Sequence, residues 1–264
     1  MVIESLFDPC TIRRHPSVSI IEAVIATSVA IAICIILRQN GLFLTFLITL
    51  ALLPSVVSLL KEEEERGQNE AFWTYCYKGG FLNRHGSLIK DYFYIILGVA
   101  LTISIAYLAL PHETTSTIFH DQRHIISDIT GNVTEPDIFS KILLNNLGVM
   151  TICYVFSLFY STGAIFLIAW NASVLGVVVG QGAQSLLGYH SIPAVLMLYI
   201  PHGSFEFLGY ILAGIAGGIL SISLSRHKES PNHFRFIMKD SLLLLVLAAI
   251  MLWIGAWIEV LAIS

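Results

Sequence analysis

Ser241–Ala262 reads SLLLLVLAAIMLWIGAWIEVLA, a run in which Glu259 is the sole ionisable side chain. At about 1.5 Å per residue such a helix is about 33 Å long, enough to cross the hydrocarbon core of a bilayer. Six further apolar segments stand upstream of it, over residues 18–37, 41–60, 92–110, 142–170, 173–200 and 203–225. The whole chain of 264 residues is 56% hydrophobic and only 12% charged, about half the charge of an ordinary soluble domain. These proportions exclude an aqueous globular fold and equally exclude disorder. The expected class is all-α, a polytopic transmembrane helix bundle with residues 1–264 forming a single integral membrane domain.

The fifth segment differs from the others. Between Val174 and Ile200 lie Gly176, Gly180, Gly182, Gly188 and Pro193, together with Gln181, Gln184 and His190. These residues free backbone groups and bring polar side chains where lipid disfavours both. A broken segment of this kind is either a kinked crossing or a re-entrant half-helix, which gives seven or six membrane crossings. Flanking positive charge decides orientation, because lysine and arginine are retained on the cytoplasmic side. Eleven of the 14 basic residues fall in the leader 1–17 and the loops 61–91 and 226–240. That pattern places the N-terminus and loop 61–91 in the cytoplasm and loop 111–141 outside, and it favours seven crossings of the cell membrane. The leader has no small-residue cleavage site, so the first segment reads as a retained span.

Net charge is −4 with no basic stripe, so nucleic acid is not an expected partner. The expected partners are membrane lipid and other membrane or envelope proteins. Cys10, Cys34, Cys76 and Cys153 lack the spacing of a metal or redox pair and read as small hydrophobes. Lys61–Arg66 extends the second span as a charged helix towards Phe72, Trp73, Tyr75 and Tyr77, an aromatic cluster suited to the headgroup layer. An alternative use of Glu62–Glu65 is to dock a cytoplasmic partner. The outer loop carries the sequon Asn132-Val133-Thr134, and His112, His120 and His124 among acidic residues read as a solvated polar loop or a surface metal site.

Ionisable groups inside spans are costly and face the bundle interior, so they are the first candidates for a site. Pro201-His202-Gly203-Ser204-Phe205-Glu206 opens the sixth segment and places His202 and Glu206 on one helical face, four residues apart. Glu259 ends the seventh. Consecutive antiparallel spans bring the start of one to the end of the next, so His202, Glu206 and Glu259 can converge. Such a cluster can lock helices together, hold an ion or proton, or, with His202 and Glu206 as weak candidate ligands, bind metal. No His-Glu-x-x-His or Gly-x-Ser-x-Gly arrangement is present, so no catalytic residue and no cofactor is expected. Asn145, Asn146, Trp170 and Asn171 flank the fourth segment and read as caps and interfacial anchors. In a second reading Asn171, Gln181 and Gln184, with Asn145 and Asn146, line a polar path beside a broken helix, as in transporters. Gly214, Gly217 and Gly218 allow close helix packing within the chain or across a homodimer.

The stretch Leu144-Asn145-Asn146 through Ala169-Trp170-Asn171-Ala172-Ser173-Val174-Leu175-Gly176, followed by Pro201-His202-Gly203-Ser204-Phe205-Glu206, resembles the stage II sporulation protein M family. The opening, with Pro9 and Arg13-Arg14 before the first span and Leu53-Pro54 through Lys61-Glu62-Glu63-Glu64 after the second, is similar to its archaeal members. The resemblance implies a non-enzymatic membrane subunit or scaffold in envelope organisation, since the founding bacterial member works beside cell-wall hydrolysing partners without being the hydrolase. The family is also similar to the membrane half of certain ABC exporters. That likeness implies a re-entrant element late in the chain, six crossings and a separate ATPase, for no phosphate-binding Gly-x-x-x-x-Gly-Lys-Ser/Thr loop occurs here. A permease-like exporter component is therefore the alternative to the scaffold, and a membrane-embedded metal-dependent enzyme is the second alternative.

Overall fold

The computed structural model describes residues 17–68, 81–131, 138–186, 188–225 and 231–263. Cys10, Arg13, Arg14, the aromatic residues 72–77, Cys76, the sequon and Arg226 with Lys228 lie outside them. Among the described residues there are nine α-helices: α1 (Ser17–Leu37), α2 (Gly41–Gln68), α3 (Phe81–Ala109), α4 (His112–Ile118), α5 (His120–Gly131), α6 (Ile138–Tyr160), α7 (Ala164–Ser185), α8 (Ile192–Ser225) and α9 (Pro231–Ile263). A short 3₁₀ turn, Gly188–Ser191, joins α7 to α8. All but α4 and α5 are long and apolar enough to cross a membrane, which makes seven candidate spans.

Contacts between distant residues give the direction of each helix. Ser19 and Ala23 of α1 meet Asp91 and Gly98 of α3, and Ser104 and Tyr107 of α3 meet Gly176 and Gly180 of α7, with both numbers rising together. These three helices are parallel. In the same way Asn146 and Ser157 of α6, and Ser161 just beyond it, meet Glu206, Gly214 and Ser221 of α8. By contrast, Ser241 and Ala248 of α9 meet Ala216 and Gly209 of α8, so that pair is antiparallel. The turn 38–40 and the contact of Glu22 with Ser55 set α2 antiparallel to α1. The seven long helices thus alternate in direction, as seven successive crossings require. α7 runs its full length of about 33 Å beside α3 instead of dipping and returning.

The expected break in 173–200 is present at Leu186–Ser191, where Gly188 takes φ 65°, a left-handed value that favours glycine. It separates two complete helices instead of kinking one. Two boundaries differ from the sequence reading. The segment 142–170 is not a single span: it is divided at residues 161–163, where Ser161 adopts φ 53° and the Ala164 N–H donates to Ser157 Oγ at 3.0 Å. Trp170 and Asn171 consequently lie inside α7, not at a helix end. Pro201 does not open a span either, for α8 continues through it, a tolerance that neighbouring helices confer on proline in apolar bundles. Pro193 sits in the first turn of α8, where no donor is lost.

The segment between α3 and α6 is more than a solvated loop. His112, His120 and His124 are exposed as expected, but Ile118, Phe119 and Gln122 on the opposite side are buried. Phe119 packs on Tyr107 with ring centroids 5.8 Å apart, and Gln122 Nε2 donates to Ser173 Oγ of α7 at 3.1 Å. Asp121 accepts the Leu42 N–H at 2.9 Å at the start of α2. The α4–α5 segment is thereby fastened to α2, α3 and α7 by groups whose spacing in sequence gave no hint of the contact.

Candidate functional site

The site forms where α8 and α9 pack against each other. Gly255 permits the approach: a Cβ there would stand 3.3 Å from Glu206 Cγ and from Phe205 Cβ, and 3.4 Å from the His202 carbonyl oxygen. With this spacing the carboxyl groups of Glu206 and Glu259 come within hydrogen-bonding reach of each other.

α6 completes the cluster. Because it lies parallel to α8, Asn146 faces Glu206 and Tyr210, one helical turn apart. Asn146 Nδ2 donates to Glu206 Oε1 at 2.7 Å, and its Oδ1 accepts from Tyr210 Oη, also at 2.7 Å. A primary amide can give to a carboxyl from its nitrogen and receive from a phenol at its oxygen at the same time. Asn146 therefore ties α6 to α8 twice, and α9 joins only through the approach of Glu259 to Glu206. His202 stands beside the cluster with its ring edge on Tyr199, centroids 5.7 Å apart, and its Nδ1 is enclosed without a hydrogen-bond partner.

Glu206, Glu259 and Asn146 are thus brought together, with Tyr210 as a member that the sequence reading did not contain. His202 is adjacent. The other candidates lie elsewhere. Asn171 Nδ2 bonds the carbonyl of Leu167 on its own helix at 2.8 Å, and Gln181 Nε2 reaches Tyr107 Oη at 3.4 Å. Gln184 and Asn145 are exposed on the outside of the bundle. Beside them the glycines of α7 serve close packing: a Cβ on Gly176 would meet the Ala100 carbonyl at 2.8 Å, and one on Gly180 would meet Tyr107 at 2.7 Å. Gly214, Gly217 and Gly218 pack inside the chain, against Ala164, the Tyr154 carbonyl and the Ser161 carbonyl. Among the described residues no group of three or more His, Cys, Asp or Glu side chains is arranged to hold a metal ion.

A second polar cluster escaped the sequence reading. Ser55 Oγ donates to Glu22, and Ser19 Oγ donates to Asp91 at 3.2 Å, tying α1 to α2 and to α3. Glu22 is a lone acid inside the first apolar run, the same signal that drew attention to Glu259.

An all-helical bundle of seven candidate spans, with acids and an amide bonded between its apolar helices, defines a polytopic membrane protein. Residues 92–262, more than half of the chain, match the family described as Stage II sporulation protein M, and the chain belongs to that family. The matched residues include Asn146, Glu206, Tyr210 and Glu259 and leave α1 and α2 outside. No curated protein and no solved structure matches this chain.

Proposed function

We propose that this protein is a non-enzymatic subunit of the cell membrane that holds other envelope proteins in place, its N-terminus in the cytoplasm. One observation carries the reading: Asn146 spends its donor on Glu206 and an acceptor on Tyr210, so the polar groups of the site bind one another across α6 and α8. Side chains spent in this way fasten a frame, which is what a scaffold needs of its spans. The family's founding member, a membrane subunit beside hydrolytic partners, agrees with such a role. The asymmetry of lysine and arginine supports the orientation.

The experiment is affinity purification of the full chain from gently solubilised membranes. A stoichiometric envelope protein is expected to accompany it. Recovery of this chain alone would remove the reading. A protease added to one side of sealed vesicles should reach a C-terminal tag only from outside, and cleavage from the cytoplasmic side would reverse the orientation.

A further inference from the structure

We propose that His120 and His124 of α5 form a binding site for a divalent transition-metal ion of the zinc class. Of the nine histidines these are the sole two placed four residues apart, and both lie in one helix, so their rings leave it from the same face. Two imidazoles at this helical spacing are an arrangement that grips zinc. Both histidines are exposed, and the structure brings their rings together, with centroids 6.5 Å apart and planes inclined by 38°. Two imidazoles on one tetrahedral ion, with metal–nitrogen bonds of about 2.0 Å, have centroids about 5 Å apart. A closure of about 1.5 Å is therefore needed, and exposed side chains make it by rotating about their own bonds.

The surroundings hold the pair ready. Asp121 Oδ1 lies 3.4 Å from His120 Nδ1, and a histidine whose Nδ1–H gives to a carboxylate presents Nε2 to a metal. The same carboxylate accepts the Leu42 N–H through Oδ2 at 2.9 Å, which fixes it to the start of α2. Behind the rings, buried Gln122 bonds Ser173 and buried Phe119 packs on Tyr107, so the turn that carries both histidines is anchored to the bundle. Asp121 and Arg123 stand to either side of the pair, about 80° round the helix from its middle, and their charges offset. Capture then rests on coordination. Nitrogen donors select zinc, copper or nickel and not calcium or magnesium, which require oxygen. Each ring has two nitrogens and gives one to the ion. No third His, Cys, Asp or Glu among the described residues completes a cage, so water fills the other positions and the ion exchanges freely.

The test is titration of the full chain in detergent micelles, purified without a polyhistidine tag, with Zn²⁺ alone against a colorimetric zinc indicator. His120→Gln and His124→Gln are each expected to weaken the tightest zinc binding about tenfold or more, and the double variant no further than the weaker single one, because either loss breaks the chelate. Both rings stand off the packed side of α5, so the variants keep the fold. His190→Gln, at an exposed histidine with no second one four residues away, is expected to change nothing. Cu²⁺ gives an independent reading: its electron paramagnetic resonance spectrum should show coupling to two nitrogens, reduced to one in either single variant. The proposal is overturned by unchanged zinc affinity in either single variant, by an equal loss in His190→Gln, or by a copper spectrum that the variants leave as it was. The scaffold reading is judged by accompanying proteins and stands or falls separately.

Discussion

The two polar clusters inside the bundle solve one problem in different ways. Near the start of α1 and α3, Glu22 and Asp91 are 6% and 2% exposed, and each meets a serine hydroxyl from a neighbouring helix. Towards the other end of the bundle, Glu206 is half-buried and meets an amide and a second carboxyl, with a phenol one bond further on. Each of these serines donates to one acid, clamping α1 to α2 and α1 to α3. Asn146 both gives and receives, so the second is a connected network. The difference teaches that an acid within an apolar helix is not by itself a sign of chemistry; its partners decide what it does.

Substitutions can break or sharpen that contrast. The largest effect is expected from Asn146→Leu, which removes a donor from Glu206 and an acceptor from Tyr210 together. It should lower unfolding free energy by about 2 kcal/mol, measured by steric trapping in bilayers. A loss no greater than that of Ser55→Ala would mean that the network is not connected as described. Next comes Glu206: the alanine variant should lose about 1–2 kcal/mol, whereas glutamine keeps a carbonyl for Asn146 and an amide for Glu259 and should lose less than about 1 kcal/mol. Equal loss in the two variants, read by the same measurement, would show that charge and not hydrogen bonding governs the site. Smallest is Ser55→Ala, which removes one donor from Glu22 at about 0.6 kcal/mol and should leave the Glu206 region unaltered, as seen by hydrogen exchange of α8.

Much of the architecture was legible because bilayers impose a local rule. Length and hydropathy announce each helix without reference to its neighbours, which is why seven apolar segments correspond to seven long helices. Where the rule was read too simply, the boundaries moved: Ser161-Thr162-Gly163 is a turn signal inside an apolar stretch, and Pro201 is a breaker that the bundle accommodates. The meeting of Glu206 and Glu259 was expected between span ends, but Glu206 lies inside α8, which begins at Ile192, so the antiparallel pairing was legible and the position along α8 was not. Nor was Asn146 in the same cluster. Its role depends on α6 lying parallel to α8, two helices separated by α7, and no pattern within either helix specifies that neighbour. Gln122 escaped for the same reason, being a polar residue in a polar segment whose burial is produced by α2 and α7.

The amino-acid sequence alone determined that this protein is a bundle of apolar helices with a few acids carried inside, because the cost of exposing backbone and charge to hydrocarbon acts residue by residue. Tertiary structure alone decided which of those polar groups bind one another, which glycines admit a neighbouring backbone, and that Asn145 is turned outward while Asn146 is turned in. The physical reason is geometric. Adjacent residues on a helix point about 100° apart, so their fates are set by which helices stand around them.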